Sequence, residues 1–403
     1  LKNKKEENKS NIKSYSYNKT MSMSSLNSTL PTSISCLSDF IEKTDDDGYL
    51  QIYSYKFCNN DSPDEIKNCR GLVFSGDKLI SKSLGFTQEY NDTQQDLVSI
   101  QNTDFKQVKF FSSEEGTFIR LFFNDGKWYI STHRKLNAFN SRWGSENSFS
   151  FGKIFTNAIE QLGYETLDSL TSLLDQSYTY MFLIRNTLEN RIVSKPPSDI
   201  ETKVYFIGCL SCYPEQKDFM FDSPLPFNFP KQTQLLFQNW DEVFNYVKDT
   251  DPLKNQGVIG FSGNNHFKIL NSKYQLYSNV RGNESDICYR YLQNRSNTLY
   301  SRMMYDMYPE NINSFLKYEN LIIKIAKNIH NAYVSRFINK NYVMVSKEEY
   351  RIVSECHGWH ISDRQKNKVS FSYVINVLNK DKFVSTLYTI IKNMTSSSSS
   401  SSS

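Results

Sequence analysis

Residues 110–143 read FFSSEEGTFIRLFFNDGKWYISTHRKLNAFNSRW, and they decide the fold. Two β-rich runs, Phe118–Phe123 and Lys127–Thr132, flank Asn124-Asp125-Gly126. Asp-Gly between such runs is a strong hairpin signal, because a tight two-residue turn needs positive φ at both central positions. Glu114-Glu115-Gly116-Thr117 precedes the first run, and His133, Arg134, Lys135, Arg142 and Trp143 follow the second. An acidic-glycine turn, a hairpin and a basic exit have the composition of a nucleotide-pocket wall. The same composition also suits a surface hairpin with solvated charges, so the choice rests on the rest of the chain.

The chain has 403 residues, 14% of them aromatic, which is enough for two folded domains with real cores. A formal net charge of +4 permits a polyanionic partner without demanding one. No run of about 18 apolar residues is present, so no membrane span is expected. The polar start LKNKKEENKSNIKSYSYNKT lacks the apolar core of a secretory signal, and a first residue of Leu rather than Met suggests a fragment or processed product. Seven scattered cysteines, an odd number, favour a reducing compartment, and a cytoplasmic location is expected.

Residues 1–34 are rich in Ser, Asn and Lys and are expected to be disordered, as is the serine tail at 395–403. From 35 to 283 the pattern is short β-like runs with turns between them. These runs include Tyr49–Phe57, Gly71–Phe74, Gln107–Phe111, Tyr178–Arg185, Val204–Leu210 and Val258–Phe261. Helical spacing interrupts them at Phe149–Leu162 and Trp240–Asp249. From 284 to 394 the period becomes helical. Phe315, Tyr318, Ile322, Ile325, Ile329, Ala332 and Ile338 share one face of a long helix. Ser346-Lys347-Glu348-Glu349 has capping-box form and opens a helix ending near Gly358. A third helix covers Ser372–Lys392, with a break at Asn379–Lys382. The expected class is α+β, an antiparallel-sheet domain followed by a C-terminal helical bundle.

Several pieces carry possible chemistry, each with a plain structural alternative. Arg70-Gly71 sits ahead of a strand; glycine admits close backbone approach and arginine forks onto phosphate, yet Arg-Gly is also a common turn. Asn190-Arg191-Ile192-Val193 follows the run ending at Arg185, as a second hairpin would. Gln256-Gly257-Val258-Ile259 is followed by Lys268-Ile269-Leu270 and Lys273, lysines that either neutralise phosphate or face water.

In this order the pieces resemble the covalent nucleotidyltransferase superfamily (an ATP-grasp-like fold), and within it the phage-type RNA ligases. RNA-ligase-like proteins of large cytoplasmic DNA viruses are similar. The resemblance spans residues 50–280. It aligns Arg70-Gly71 with the family's Arg-Gly strand and Ser113-Glu114-Glu115-Gly116 with its Lys-x-Asp-Gly motif. Thr132–Lys135 falls on the basic segment and Asn190–Val193 on an Asn-Arg-Ile-Val type sequence. Gln256–Ile259 then matches Glu-Gly-Val-Val, and Lys268–Leu270 matches Lys-x-Lys. It implies ATP and Mg²⁺ as cofactors, RNA as partner, and nucleotide contacts from Arg70, Gly71, Gly116, Arg134, Lys135, Lys268 and Lys273. Ser113, Glu115 and Gln256 fall on the catalytic positions.

The departures bear on chemistry. The family's lysine amine attacks the α-phosphate to form lysyl-AMP, and serine at 113 cannot run the same cycle. Lys109, four residues upstream, is ~13 Å away along a strand. No carboxylate lies within Met181–Arg185, and Gln256 replaces a glutamate that would hold Mg²⁺. Leu270 replaces the last lysine of Lys-x-Lys. The expectation is a divergent RNA-ligase-like protein that binds a nucleotide or an RNA end. Two alternatives stay open: a non-catalytic RNA- or protein-binding scaffold, and an active ligase using another nucleophile or pre-adenylated ends.

Two further features have bland readings. Cys209-Leu210-Ser211-Cys212 with Cys356-His357-Gly358-Trp359-His360 has the donors for zinc, but Cys209 lies in a β-like run and Cys356 near a helix end, so packing and a helix cap are the better reading. Lys317, Lys324, Lys327, His330, Arg336 and Lys340 form either an RNA-contacting helix face or a solvated one.

Overall fold

The computed structural model describes residues 30–143, 149–186, 192–195, 202–212, 219–222 and 229–399. Residues 1–29 of the expected leader and Asn190-Arg191 lie outside the described residues.

In chain order the strands are β1 (Ile41–Asp46), β2 (Gln51–Tyr55), β3 (Arg70–Ser75), β4 (Lys78–Ser81), β5 (Gln88–Asn91), β6 (Lys109–Ser113) and β7 (Thr117–Asn124). They continue with β8 (Lys127–Ser131), β9 (Tyr178–Asn186), β10 (Thr202–Ser211), β11 (Gln234–Leu235), β12 (Gly257–Ser262) and β13 (Asn265–Leu270). Three sheets result, in the orders β1-β2-β3-β4, β10-β9-β7-β8 and β11-β6-β12-β13-β5. All pairings are antiparallel except β13 with β5.

Interleaved helices are α1 (Asp64–Lys67), α2 (Gln94–Ile100), α3 (Phe151–Gln161), α4 (Leu167–Thr171) and α5 (Trp240–Asp249). Helix α3 lays Ile154, Phe155, Ala158 and Ile159 on the second sheet, against Phe182, Ile184 and Phe206. Helix α5 packs Val243, Phe244 and Val247 on the third, against Phe110, Val258 and Ile269. Each helix thus buries one apolar stripe on one sheet face, the packing its periodicity dictates. The Asp-Gly hairpin forms as expected between β7 and β8, with φ of +46° at Asp125 and +79° at Gly126.

The remaining helices are α6 (Ser272–Arg281), α7 (Ile287–Asn294), α8 (Thr298–Met307), α9 (Ile312–Tyr333), α10 (Lys347–Ser362), α11 (Phe371–Leu378) and α12 (Val384–Ser399). The α9 stripe Tyr318, Ile322, Ile325 and Ile329 is buried against Ile352, Val353 and Cys356 of α10, Val374 and Val377 of α11, and Leu387 and Ile391 of α12. This is the expected α+β architecture with C-terminal helices. The capping box at Ser346 is present, with Ser346 Oγ accepting from the Glu349 amide at 3.1 Å and the Glu349 carboxylate from the Ser346 amide at 3.0 Å.

Boundaries differ in three places. Ile338 leaves the α9 stripe and is 58% exposed, because Val334–Ile338 form a wider π turn that rotates the following residues off the buried face. Helix α10 runs past Gly358 to Ser362, since Cys356 is anchored in the core and a mid-helix glycine costs only about 1 kcal/mol. The last helix continues through Ser399, into the serine run expected to lack structure. No helix among the described residues is long and apolar enough to cross a membrane.

Candidate anion-binding site

Where β6 and β12 pair, Ser113 stands opposite Gly257, so the end of one strand lies beside the start of the other. Strand β13 returns beside β12 and sets Lys268 opposite Ile259. These strand ends, with Arg70 of β3, enclose a cavity of about 190 Å³. Arg70, Ser113, Glu115, Gly116, Gln256 and Lys268 all line it. Six positions scattered over some 200 residues of sequence therefore meet in one place.

Gln256 is the hub. Its Oε1 accepts from Ser113 Oγ at 3.1 Å and from Lys268 Nζ at 2.8 Å. Its Nε2 donates to the Tyr274 hydroxyl at 2.7 Å, which in turn donates to Glu115 Oε2 at 3.0 Å. The Glu115 carboxylate also accepts from the Ile192 amide, the Val193 amide at 2.9 Å, and the Ser194 amide and hydroxyl at 3.0 and 3.2 Å. It is buried and fully engaged in holding the 192–194 segment. Beside it, Glu114 is paired with the buried Arg185. A charge inside a largely apolar strand demands such a partner.

The positive side of the cavity is less satisfied. Arg70 donates to the Gly85 carbonyl at 3.2 Å and to Thr87 Oγ1 at 3.4 Å, and Lys268 to Gln256. Among the described residues neither makes an ion pair with a carboxylate. Burial lowers the pKa of Lys268, and Arg70 lowers it further, against the opposite pull of Glu89 and Glu115. Burial likewise lowers that of Arg70. His266, bonded to Thr87 Oγ1 at 2.8 Å, is driven down to about 3 by burial, Arg70 and Lys268. Behind this wall Arg120 is buried on the Gly71 carbonyl, Ser131 Oγ and the Thr132 carbonyl, and its pKa falls to about 9. The cavity thus sets two partly desolvated cations without an ion-pair partner among the described residues beside the engaged carboxylates of Glu114 and Glu115, and an anion would relieve the desolvation of the cations.

The other expected contacts lie elsewhere. Arg134 pairs with Glu42 at 3.2 Å and Lys135 with Asp45 at 3.1 Å, so both cations face strand β1 rather than the cavity. Neither they nor Lys273, exposed on the first turn of α6, is among the cavity-lining residues. Gly71 has φ +67°, and a Cβ there would come within 3.0 Å of the His133 carbonyl oxygen, so its glycine serves packing. At Gly116 a Cβ would lie 2.4 Å from the Ile184 carbonyl oxygen, which seats the acidic turn against β9. The Trp143 ring lies 4.9 Å from the Arg281 guanidinium, toward the helices.

The metal test fails. Among the described residues no three His, Cys, Asp or Glu side chains cluster as a metal would need. Glu114 and Glu115 are occupied, and position 256 offers an amide in place of a carboxylate. Nor does a zinc cluster form among the described residues. Cys209 and Cys356 are buried in separate cores, His357 stacks on Phe337 at 3.6 Å, and His360 Nδ1 bonds the Asn367 carbonyl at 2.6 Å. Lys109 is exposed at the far end of β6 from Ser113. The sequence reading missed Tyr274, His266 and Thr87, whose roles depend on partners more than 15 positions away. Arg185 did carry a signal, as a charge in an otherwise apolar run.

No protein-family model matches the chain. It is 29% identical over 335 residues to an immediate-early protein ICP-46 homolog of Invertebrate iridescent virus 6, covering 77% of this chain and 72% of that protein. To the homolog of Invertebrate iridescent virus 3 it is 30% identical over 285 residues, covering 68% and 61%. Solved structures similar to it include a putative ATP-dependent DNA ligase from Aquifex aeolicus, at TM-score 0.38 and 13% identity over 81% of this chain and 86% of that one. An archaeal ATP-dependent RNA ligase is similar at TM-score 0.38 and 9% identity, over 67% and 68%.

Proposed function

We propose that this protein is a divergent, RNA-ligase-derived binding protein whose cavity receives a phosphate of a nucleotide or of an RNA end without covalent transfer. The observation that carries the reading is the pair Arg70 and Lys268. Two partly buried cations share one cavity without an ion-pair partner among the described residues, while the nucleophile position of the resembled family is Ser113 and its metal position is Gln256. In the ligase cycle a neutral lysine amine displaces pyrophosphate from ATP. Here the hydroxyl at that position is tied to an amide, and among the described residues no carboxylate pair is available for Mg²⁺. What persists is positive charge suited to phosphate.

Residues 35–283 are assigned to the nucleotidyltransferase-like domain and 284–394 to the helical domain. Seven unpaired cysteines support a reducing, cytoplasmic setting. The relatives' designation as immediate-early proteins supports a viral protein made early in infection.

The test combines two measurements. Incubation with ATP labelled in the α-phosphate and Mg²⁺ should leave no acid-labile label on the protein. Fluorescence anisotropy should show binding of 5′-phosphorylated single-stranded RNA that weakens with salt, because each phosphate contact releases counterions. A covalent AMP adduct would refute the non-catalytic part of the reading. Absence of RNA and nucleotide binding at low salt would refute the anion pocket and leave a scaffold for protein partners.

A further inference from the structure

Strand β4 closes the first sheet: it pairs with β3 on one side, and among the described residues no strand covers the other. All four of its residues, with Lys82, line a cavity of about 470 Å³, to which Phe123 of β7 and Cys212 after β10 also contribute. Lys82 is shared with a second cavity, of about 480 Å³, which follows the chain through Ser83, Leu84 and Gly85 and is walled in part by Ile34, Leu37 and Leu72. Each lies within the ~300–1,000 Å³ usual for a ligand site. Together they form a groove along one run of chain, from Lys78 to Gly85. The charged side chains of the first cavity are Lys78 and Lys82, and neither pairs with a carboxylate among the described residues. Between them Leu79 is 41% exposed, a large apolar side chain on an open sheet edge. A hydrogen bond of 2.9 Å between the Ser81 and Thr179 hydroxyls ties β4 to β9 and holds that edge in place.

We propose that this groove is a docking site for an extended acidic segment of a protein partner, which pairs with the free edge of β4 as a fifth strand of the first sheet. An unpaired edge presents amides and carbonyls that an added strand completes, and the side chains on that strand then set specificity. Lys78 and Lys82, roughly 13 Å apart along the chain, call for two carboxylates about four residues apart. An apolar side chain between those carboxylates rests on Leu79 and Phe123. Charge and backbone chemistry decide against the other occupants. A second copy of β4 would set lysine against lysine, the arrangement that keeps edge strands from pairing with themselves. The first 29 residues of this chain carry six lysines against two glutamates, so they repel the groove rather than fill it. RNA would answer the lysines, but its backbone has no amide donors for the β4 carbonyls. Arg70 and Lys268 line neither cavity, so the partner docks apart from the phosphate site.

The experiment pans the full chain against a heptapeptide phage-display library and measures the enriched sequences as fluorescent synthetic peptides. They should carry two acidic residues about four positions apart. Their affinity should fall roughly three- to tenfold with Lys78→Glu, and further when Lys82→Glu is added. Amide hydrogen exchange at residues 78–82 should slow when the peptide is bound. Lys78 is an exposed edge residue, so its single variant keeps the test valid should the double variant unfold. No enrichment, enrichment of sequences without acidic residues, an affinity unmoved by Lys78→Glu, or unchanged exchange at 78–82 each overturns the proposal. Displacement of the peptide by 5′-phosphorylated penta-adenylate would mark a general polyanion site and overturn it as well. None of these outcomes depends on whether the phosphate cavity binds RNA.

Discussion

Arg70 and Lys268 at the cavity, and Arg134 and Lys135 beside β1, are the same two residue types with opposite fates. The first pair lines a cavity without an ion-pair partner among the described residues. The second is matched charge for charge by Glu42 and Asp45 of β1, at 3.2 and 3.1 Å and partly in solvent. An exposed pair contributes little, with a typical worth of 0–1 kcal/mol. A buried, unmatched cation is costly unless something else repays its desolvation. The comparison separates the two pairs by electrostatic balance: the proposed function assigns binding to the cations that keep no ion-pair partner among the described residues.

The largest expected contrast is in acid stability. His266 has a folded-state pKa of about 3, depressed below its ordinary value of 6.5, so it favours folding at higher pH. That contribution is complete above about pH 6.5 and is lost as pH falls toward 3. By pH 4 the loss should be about 3 kcal/mol. Thermal melts from pH 7 to 4 should show a shallower decline for His266→Gln than for the parent. An unchanged slope would mean that the cavity wall does not hold this histidine neutral.

Glu115 supplies the next contrast. Glu115→Ala orphans the Ile192, Val193 and Ser194 amides and should cost about 3 kcal/mol in urea denaturation. Glu42→Ala, which releases only exposed Arg134, should cost less than about 1 kcal/mol. Comparable losses would show that burial does not separate the two sides.

Binding supplies a third contrast. Arg70→Ala combined with Lys268→Ala should weaken RNA binding roughly 100-fold, from the loss of two charge-assisted contacts. Arg134→Ala with Lys135→Ala should change it less than about threefold at ordinary ionic strength. The smallest effect expected is in pH dependence: RNA affinity should fall as pH rises through the lowered pKa of Lys268, as its ammonium is lost. Lys268→Arg should flatten that decline.

Much of the fold was legible because it is encoded locally. The Asp125-Gly126 turn, the Ser346 capping box, the α9 stripe and the break between α11 and α12 each depend on residues within a few positions of one another. Order along the chain also sufficed to nominate Arg70, Ser113, Glu115, Gln256 and Lys268 for one cavity. The serine at 113 and the amide at 256, where the resembled ligase motifs carry lysine and glutamate, were equally legible in the sequence.

What tertiary structure decided was the partner of each charge. Arg134 and Lys135 left the site because β1, some 90 residues earlier, brings Glu42 and Asp45 to them. Glu115 clamps 192–194 because the fold brings those amides, nearly 80 residues on, to its carboxylate. Periodicity and turn chemistry are short-range and can be read from neighbours in sequence. The electrostatic state of a buried group depends on desolvation and on whichever charge the fold places within a few ångströms, and sequence separation does not encode that distance.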